Sequence, residues 1–223
     1  MRDYNILALG DCNTLGYAES YHNSFVEKFA KLVNKKVKNC GYTMSTTREM
    51  LYFYKEFYKD DLEIILVQYG LVDSWKTFKY SPYVLYYPDN FLRKVYRKIV
   101  KKYKKIARKF YLNKLFGEKF VVPLEEYRFN LEYVINNSKN QKVFLIETPP
   151  NKETNRNKYI KIYNKVLLEL ADKYNNCYVI KIYDELENRM DDFYLDNTHL
   201  NEKAYNFVAN KIYEAYKKCW KFY

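Results

Sequence analysis

Short apolar runs alternate with helical patterns along this chain, and that alternation limits the available folds more than its composition does. Runs at residues 4–10, 36–39, 62–69, 142–147 and 178–182 each have the length of one strand and are bounded by polar or turn-forming residues. Between them, Phe25, Phe29, Leu32 and Val33, then Met50, Leu51, Tyr54 and Phe57, and later Ile160, Tyr163, Leu167, Leu170 and Ala171 recur every three or four residues, as one helix face does. Strand–helix alternation predicts a parallel sheet with right-handed crossovers and helices on both faces. The expected fold class is α/β: a three-layer α/β/α sandwich around a five-stranded parallel sheet in the flavodoxin-like order 2-1-3-4-5. A last helix starting near Asn201 presents Ala204, Phe207, Val208, Ile212 and Ala215 to the sheet, and Lys217–Tyr223 is expected to fray. At 223 residues, 48% of them hydrophobic, the chain reads as a single domain over 1–223.

The stretch from Lys76 to Pro123 is too long for a strand-to-helix connection and reads as an insertion, 76–123. Inside it Leu92, Val95, Ile99, Tyr103, Ile106 and Phe110 keep helical spacing. Residues 93–114 hold eleven Lys or Arg and no acid, so they account for eleven of the twelve net positive charges. A basic amphipathic helix is predicted from Leu92 to Asn113, attached to the domain through Val95, Ile99, Tyr103 and Ile106. Its basic face, 92–114, meets either solvent or an anionic partner, a membrane surface or an acidic polysaccharide. Nucleic acid ranks behind these, since no nucleic-acid motif accompanies the charge. No apolar run approaches the roughly 18 residues of a membrane span, and no signal sequence is visible ahead of the first strand. Cys12, Cys40, Cys177 and Cys219 lack the spacing of a metal or disulfide framework. The expected location is the cytoplasm, peripheral on the inner membrane face if the basic helix binds lipid.

Two segments carry candidate chemistry. The first strand ends in Gly10-Asp11-Cys12-Asn13-Thr14-Leu15-Gly16, which puts a nucleophile outside the carboxyl end of a parallel strand, where open α/β sheets bind ligands. Downstream, Asp196-Asn197-Thr198-His199-Leu200 precedes the last helix, with a spacing that lets Asp196 hold one imidazole nitrogen of His199 while the other faces the nucleophile. Cys12, His199 and Asp196 form a candidate triad. A cysteine there ionises in part unaided, whereas a serine depends on the base.

These segments resemble the SGNH (GDSL-type) hydrolase family, whose first block reads Gly-Asp-Ser and whose last reads Asp-x-x-His. Asn39-Cys40-Gly41-Tyr42-Thr43-Met44-Ser45-Thr46-Thr47 resembles the second block and Gln68-Tyr69-Gly70-Leu71-Val72-Asp73 the third, so the resemblance covers most of the chain outside the insertion. It implies ester hydrolysis or acyl transfer with no metal or cofactor, an oxyanion site at the N–H groups of Cys12 and Met44, and substrate contacts at Asp11, Gly41, Gly70, Val72 and Asp73. Three positions depart from the family pattern. Cys12 replaces serine, either naturally or by substitution; Met44 replaces the oxyanion glycine; Val72 replaces the oxyanion asparagine. A Gly-x-Val-Asp third block also resembles a branch associated with bacterial surface-polysaccharide genes, which implies an O-acylated carbohydrate or a similar small ester as substrate, with acetyl the expected acyl group. The alternative is a non-catalytic module that binds a glycan or an anionic membrane surface.

Overall fold

The computed structural model describes residues 3–220. Five strands form one parallel sheet: β1 (Ile6–Gly10), β2 (Val37–Gly41), β3 (Ile64–Gln68), β6 (Lys142–Ile146) and β7 (Cys177–Ile180), in the order β2-β1-β3-β6-β7. Two further strands, β4 (Lys76–Phe78) and β5 (Glu118–Phe120), pair antiparallel outside that sheet. Counting only the main sheet, the order is the expected 2-1-3-4-5.

Alternate residues of each strand point to opposite faces, and both faces are buried. Leu7, Leu9, Ile65 and Val67 pack on one side with α3 (Thr47–Phe57), α6 (Leu124–Asn136) and α7 (Asn157–Lys173), contributing Met50, Leu131 and Leu167. Ile6, Ala8, Ile64 and Leu66 pack on the other with α2 (Phe25–Leu32) and α10 (Glu202–Trp220), through Phe25, Phe29, Val208 and Ile212. Local sequence starts these helices: Ser24 with Glu27 and Thr46 with Glu49 form capping boxes that satisfy the first N–H groups of α2 and α3. Helix α10 continues through Lys217 to Trp220, so the fraying expected for Lys217–Tyr223 does not begin at Lys217, and residues 221–223 lie outside the described residues. Four short α-helices, α1 (Cys12–Leu15), α5 (Leu112–Phe116), α8 (Tyr183–Glu187) and α9 (Met190–Phe193), and two 3-10 turns, Ala18–Ser20 and Thr154–Arg156, lie among these elements. No helix among the described residues is long and apolar enough to cross a membrane.

The insertion departs from expectation in two ways. Its long helix, α4 (Phe91–Lys109), stops before Asn113, because Tyr111 adopts a left-handed φ of 56° and starts α5 in a new direction. Most of the apolar stripe does not attach the helix to the domain either; of its residues, Tyr103 packs its ring against the buried Phe78. Ile99 and Ile106 are 58% and 43% exposed, and Val95 and Tyr103 are exposed as well; the buried residues are Val100 and Ala107. Those two are seven residues apart and share a face at the border between the apolar and basic sides. Helical periodicity shows that an apolar stripe exists, whereas the roll of the helix is set by what packs against it, and here α4 docks edge-on.

Ala107→Leu should therefore destabilise the protein by about 1–3 kcal/mol through overpacking, while Ile99→Ser and Ile106→Ser should each stay within about 0.5 kcal/mol of the parent, as exposed positions do. Urea unfolding checks this. The reverse order would restore the stripe as the docking face.

Candidate active site

The turn after β1 is built around a close approach. A Cβ on Gly10 would stand 1.9 Å from Thr14 Oγ1 and 2.9 Å from the Gln68 carbonyl oxygen, so only glycine lets α1 fold back onto the strand end. Asp11 caps α1 by accepting the Asn13 N–H at 2.9 Å. Thr14 donates to Gln68 Oε1, and its carbonyl accepts from Ser24 Oγ and Asn39 Nδ2. Cys12 is thereby fixed at the first position of α1 and is only 8% exposed. Burial, and then the Asp11 carboxylate, push its thiol well up, against a weaker opposing effect of the Cys12 and Asn13 N–H groups. The thiol is neutral at ordinary pH. Partial unaided ionisation, expected from the sequence, does not suit a thiol this buried, and attack by this sulfur would need a base.

The base candidate sits in a tight loop closed by the Tyr194–Leu200 bridge. One oxygen of Asp196 accepts the N–H groups of Thr198 and His199 at 2.7 and 2.8 Å, and the other meets His199 Nδ1 at 2.7 Å. Partial burial works against the carboxylate, but the bonds from the His199 ring and the two N–H groups outweigh it and hold its pKa below the ordinary value. An ionised carboxylate only accepts, so Nδ1 is the donor in this contact. Tyr17 stacks on the imidazole with ring centroids 3.7 Å apart and planes 6° apart.

Asn13 joins the two segments. Its Nδ2 donates to the Thr198 carbonyl at 3.2 Å and its Oδ1 accepts the Leu200 N–H at 3.0 Å, one bond on each side of His199. The residue next to Cys12 thus holds the loop that carries the imidazole. Sequence reading singled out neither Asn13 nor Tyr17, whose partners lie far along the chain.

Met44 adopts a left-handed φ of 62°, the conformation natural to glycine. Its turn hangs from the end of β1, where the Gly10 carbonyl accepts the Tyr42 N–H and the Ser45 hydroxyl. The backbone geometry that favours glycine is kept although the side chain is not, at a cost of about 1–2 kcal/mol. Met44 and Val72 both line a cavity whose walls include none of Cys12, Asp196 and His199. The other residues implied as substrate contacts lie in the packing behind it. Gly41 lies against the Leu15 backbone, and Gly70, at a φ of 131°, lies against Thr148 Oγ1. Asp11 and Asp73 are fully buried. Asp73 Oδ1 accepts the Thr47 N–H and hydroxyl at the start of α3, its Oδ2 has no partner among the described residues, and burial pushes its pKa up to about 6. No group of three or more His, Cys, Asp or Glu among the described residues is placed to hold a metal ion.

The Asp73 shift has a sign. The folded protein keeps this proton to about pH 6, above the ordinary value of 3.8, so the stability the group contributes is full below the lower value and is lost as pH rises through the upper. Asp73→Asn keeps both accepted bonds and removes the buried charge. Its stability relative to the parent should rise between pH 5 and pH 8, as read by urea unfolding at both, and a pH-independent difference would contradict the assignment.

No protein-family model matches the sequence, and no curated protein does. Solved structures do match its fold. A lipolytic protein of the G-D-S-L family from Veillonella parvula DSM 2008 superposes with a TM-score of 0.64 over 96% of this chain and 98% of its own, at 16% identity. A catalytic mutant of an acetylxylan esterase from Geobacillus stearothermophilus matches with a TM-score of 0.63 over 95% of this chain and 93% of its own, at 14% identity. The psychrotrophic esterase EstA from Pseudoalteromonas sp. matches at 0.57 over 97% and 98%, at 15% identity. The parallel sheet, its helical layers and the order of its strands give this chain the fold of the SGNH (GDSL-type) hydrolases.

Proposed function

We propose that this protein is an SGNH-type esterase or acyltransferase acting on an O-acyl group, an acetyl group in the simplest case, of a carbohydrate or similar small hydroxylated substrate. The observation that carries the reading is the Asn13 link, which ties an imidazole oriented by Asp196 to the residue beside Cys12. A fold shared with an acetylxylan esterase supports the carbohydrate-ester class.

His199 Nε2 takes the thiol proton as the Cys12 sulfur bonds to the acyl carbon, while Asp196 stabilises the imidazolium that results. The N–H groups of Cys12 and Met44 receive the carbonyl oxygen as it becomes an oxyanion. Collapse breaks the bond to the alcohol oxygen, which leaves with the proton from His199, and the acyl group remains as a thioester. Water or an acceptor hydroxyl, deprotonated by the same imidazole, then releases it. A thioester also yields readily to amines and thiols, which favours acyl transfer beside hydrolysis.

Val72 supplies no side-chain donor where the family has its asparagine, and that residue favours the second reading, a binding module without turnover. Intact-mass spectrometry and steady-state kinetics with short aryl esters separate the two. Cys12→Ser should retain or raise turnover, and His199→Ala in that serine background should lower it about 100- to 10,000-fold, the contribution of a positioned base. Unchanged turnover in the double variant would exclude His199 as the base. No acyl adduct and no turnover in either the native or the serine protein would leave the binding module.

The exposed stripe of α4 supports a peripheral membrane partner in preference to a polysaccharide. Leu92, Ile99 and Phe110 face outward between lysines, which suits shallow insertion into an anionic lipid surface, on the cytoplasmic side for a protein of that compartment. Sedimentation with anionic vesicles should exceed that with neutral ones. It should weaken in Ile99→Ser/Phe110→Ser and as salt shortens the screening length to about 8 Å near physiological strength. Equal sedimentation with both vesicle types would remove the membrane, and retention on an acidic polysaccharide column insensitive to the serine changes would replace it with a glycan.

A further inference from the structure

A cavity of about 860 Å³ lies between the loops that carry Met44 and Val72 and helix α4. Its domain side is largely apolar and aromatic, with Trp75 and Tyr86 in its wall. Seven lysines and arginines line it and no carboxylate does. Asp89 answers two of these cations, pairing with Arg97 at 2.6 Å and Lys94 at 3.4 Å. Among the described residues, no carboxylate forms an ion pair with Lys101, Lys104 or Arg108. Spacings of three and four residues put these three on one side of α4, away from the exposed stripe.

Lys104 is half-buried there, and burial, then Lys119 and Arg108, push its pKa down. Like charges gathered around a partly desolvated ammonium raise the energy of the folded state unless an anion enters among them.

We propose that Lys101, Lys104 and Arg108 form an anion-binding wall of the substrate cavity, so that the ester this protein acts on carries a phosphate or carboxylate group held by them. The inference rests on the catalytic reading only in taking the cavity, which reaches Met44 of the oxyanion site and Val72 but not Cys12 or His199, as the place of the substrate's anionic end. The Arg108 fork can grip two oxygens of such a group while the lysines act as point charges. The aromatic wall opposite takes the uncharged body.

Calorimetric titration of octyl phosphate and octyl glucoside into the full chain tests the wall without turnover. Octyl phosphate should bind at least about tenfold tighter, the scale of one charge-assisted hydrogen bond. Lys101→Gln/Lys104→Gln/Arg108→Gln should abolish that preference, and a control of equal charge, Lys139→Gln/Lys165→Gln/Lys203→Gln, should keep it. No preference, or a preference that survives the first triple variant, overturns the proposal. Inorganic phosphate should bind far more weakly than octyl phosphate; equal affinity would mean a free-anion site and overturn the ester. Octyl phosphate should also compete with an aryl acetate in turnover by the Cys12→Ser protein, and non-competitive inhibition would overturn the substrate assignment. Absence of turnover in both native and serine proteins sinks the catalytic reading instead, leaving the calorimetric preference to decide the anion wall.

Discussion

The two bonds made by the Asn13 side chain hold this site together. They join the turn after β1 to a loop 185 residues later and reach both neighbours of His199. Burial of that amide makes the joint directional, since an unpaired N–H or carbonyl there costs about 1–3 kcal/mol and any displacement of either loop would leave one. Among the described residues these two segments share no backbone–backbone hydrogen bond, and the Asn13 side chain supplies the bonds that join them. Asp196 and Tyr17 then need only set the plane and tautomer of the ring.

A thiol held as deeply as Cys12 gives up its own acidity. Burial and Asp11 push the Cys12 thiol up, so a sulfur that in water would ionise in part resembles a serine hydroxyl, which needs a base before it can attack. Asp11 itself is pushed up to about 7 by burial, in part through Asp73, and these two carboxylates brace the starts of α1 and α3 behind the site. Charge placed there serves the backbone at some expense of stability at neutral pH.

The sheet was legible in the sequence because each strand buries both faces and so reads as a short apolar run between turn residues. Asp196 and His199 were legible because their interaction is local, three residues apart, and Gly10 because close packing excludes every side chain. Asn13 and Tyr17 were not, since their partners lie far along the chain and nothing local marks an amide or a phenol for that use. The buried role of Asp73 was hidden for a related reason: the helix start it braces belongs to an earlier segment. Met44 shows the opposite case, a residue type that argues against a glycine turn at a position whose φ is kept by the bonds around it.

The roll of α4 is the largest difference between pattern and structure, and it changes what the insertion can do. Had the apolar stripe met the domain, the lysines would have faced water and their charge would have had no address. Edge-on docking through Val100 and Ala107 turns most of the stripe outward, leaving Tyr103 against Phe78 and Val95 at the cavity, and brings Lys101, Lys104 and Arg108 to the cavity wall. One helix then presents an apolar surface on one side and a cationic one on the other, separated by a narrow line of contact. Both faces are unfavourable alone: exposed Ile99 and Phe110 lose nothing on burial elsewhere, and unpaired cations repel. A surface that covers the stripe and an anion that enters the cavity would stabilise the same helix from its two sides, so either one would firm the wall that the other uses.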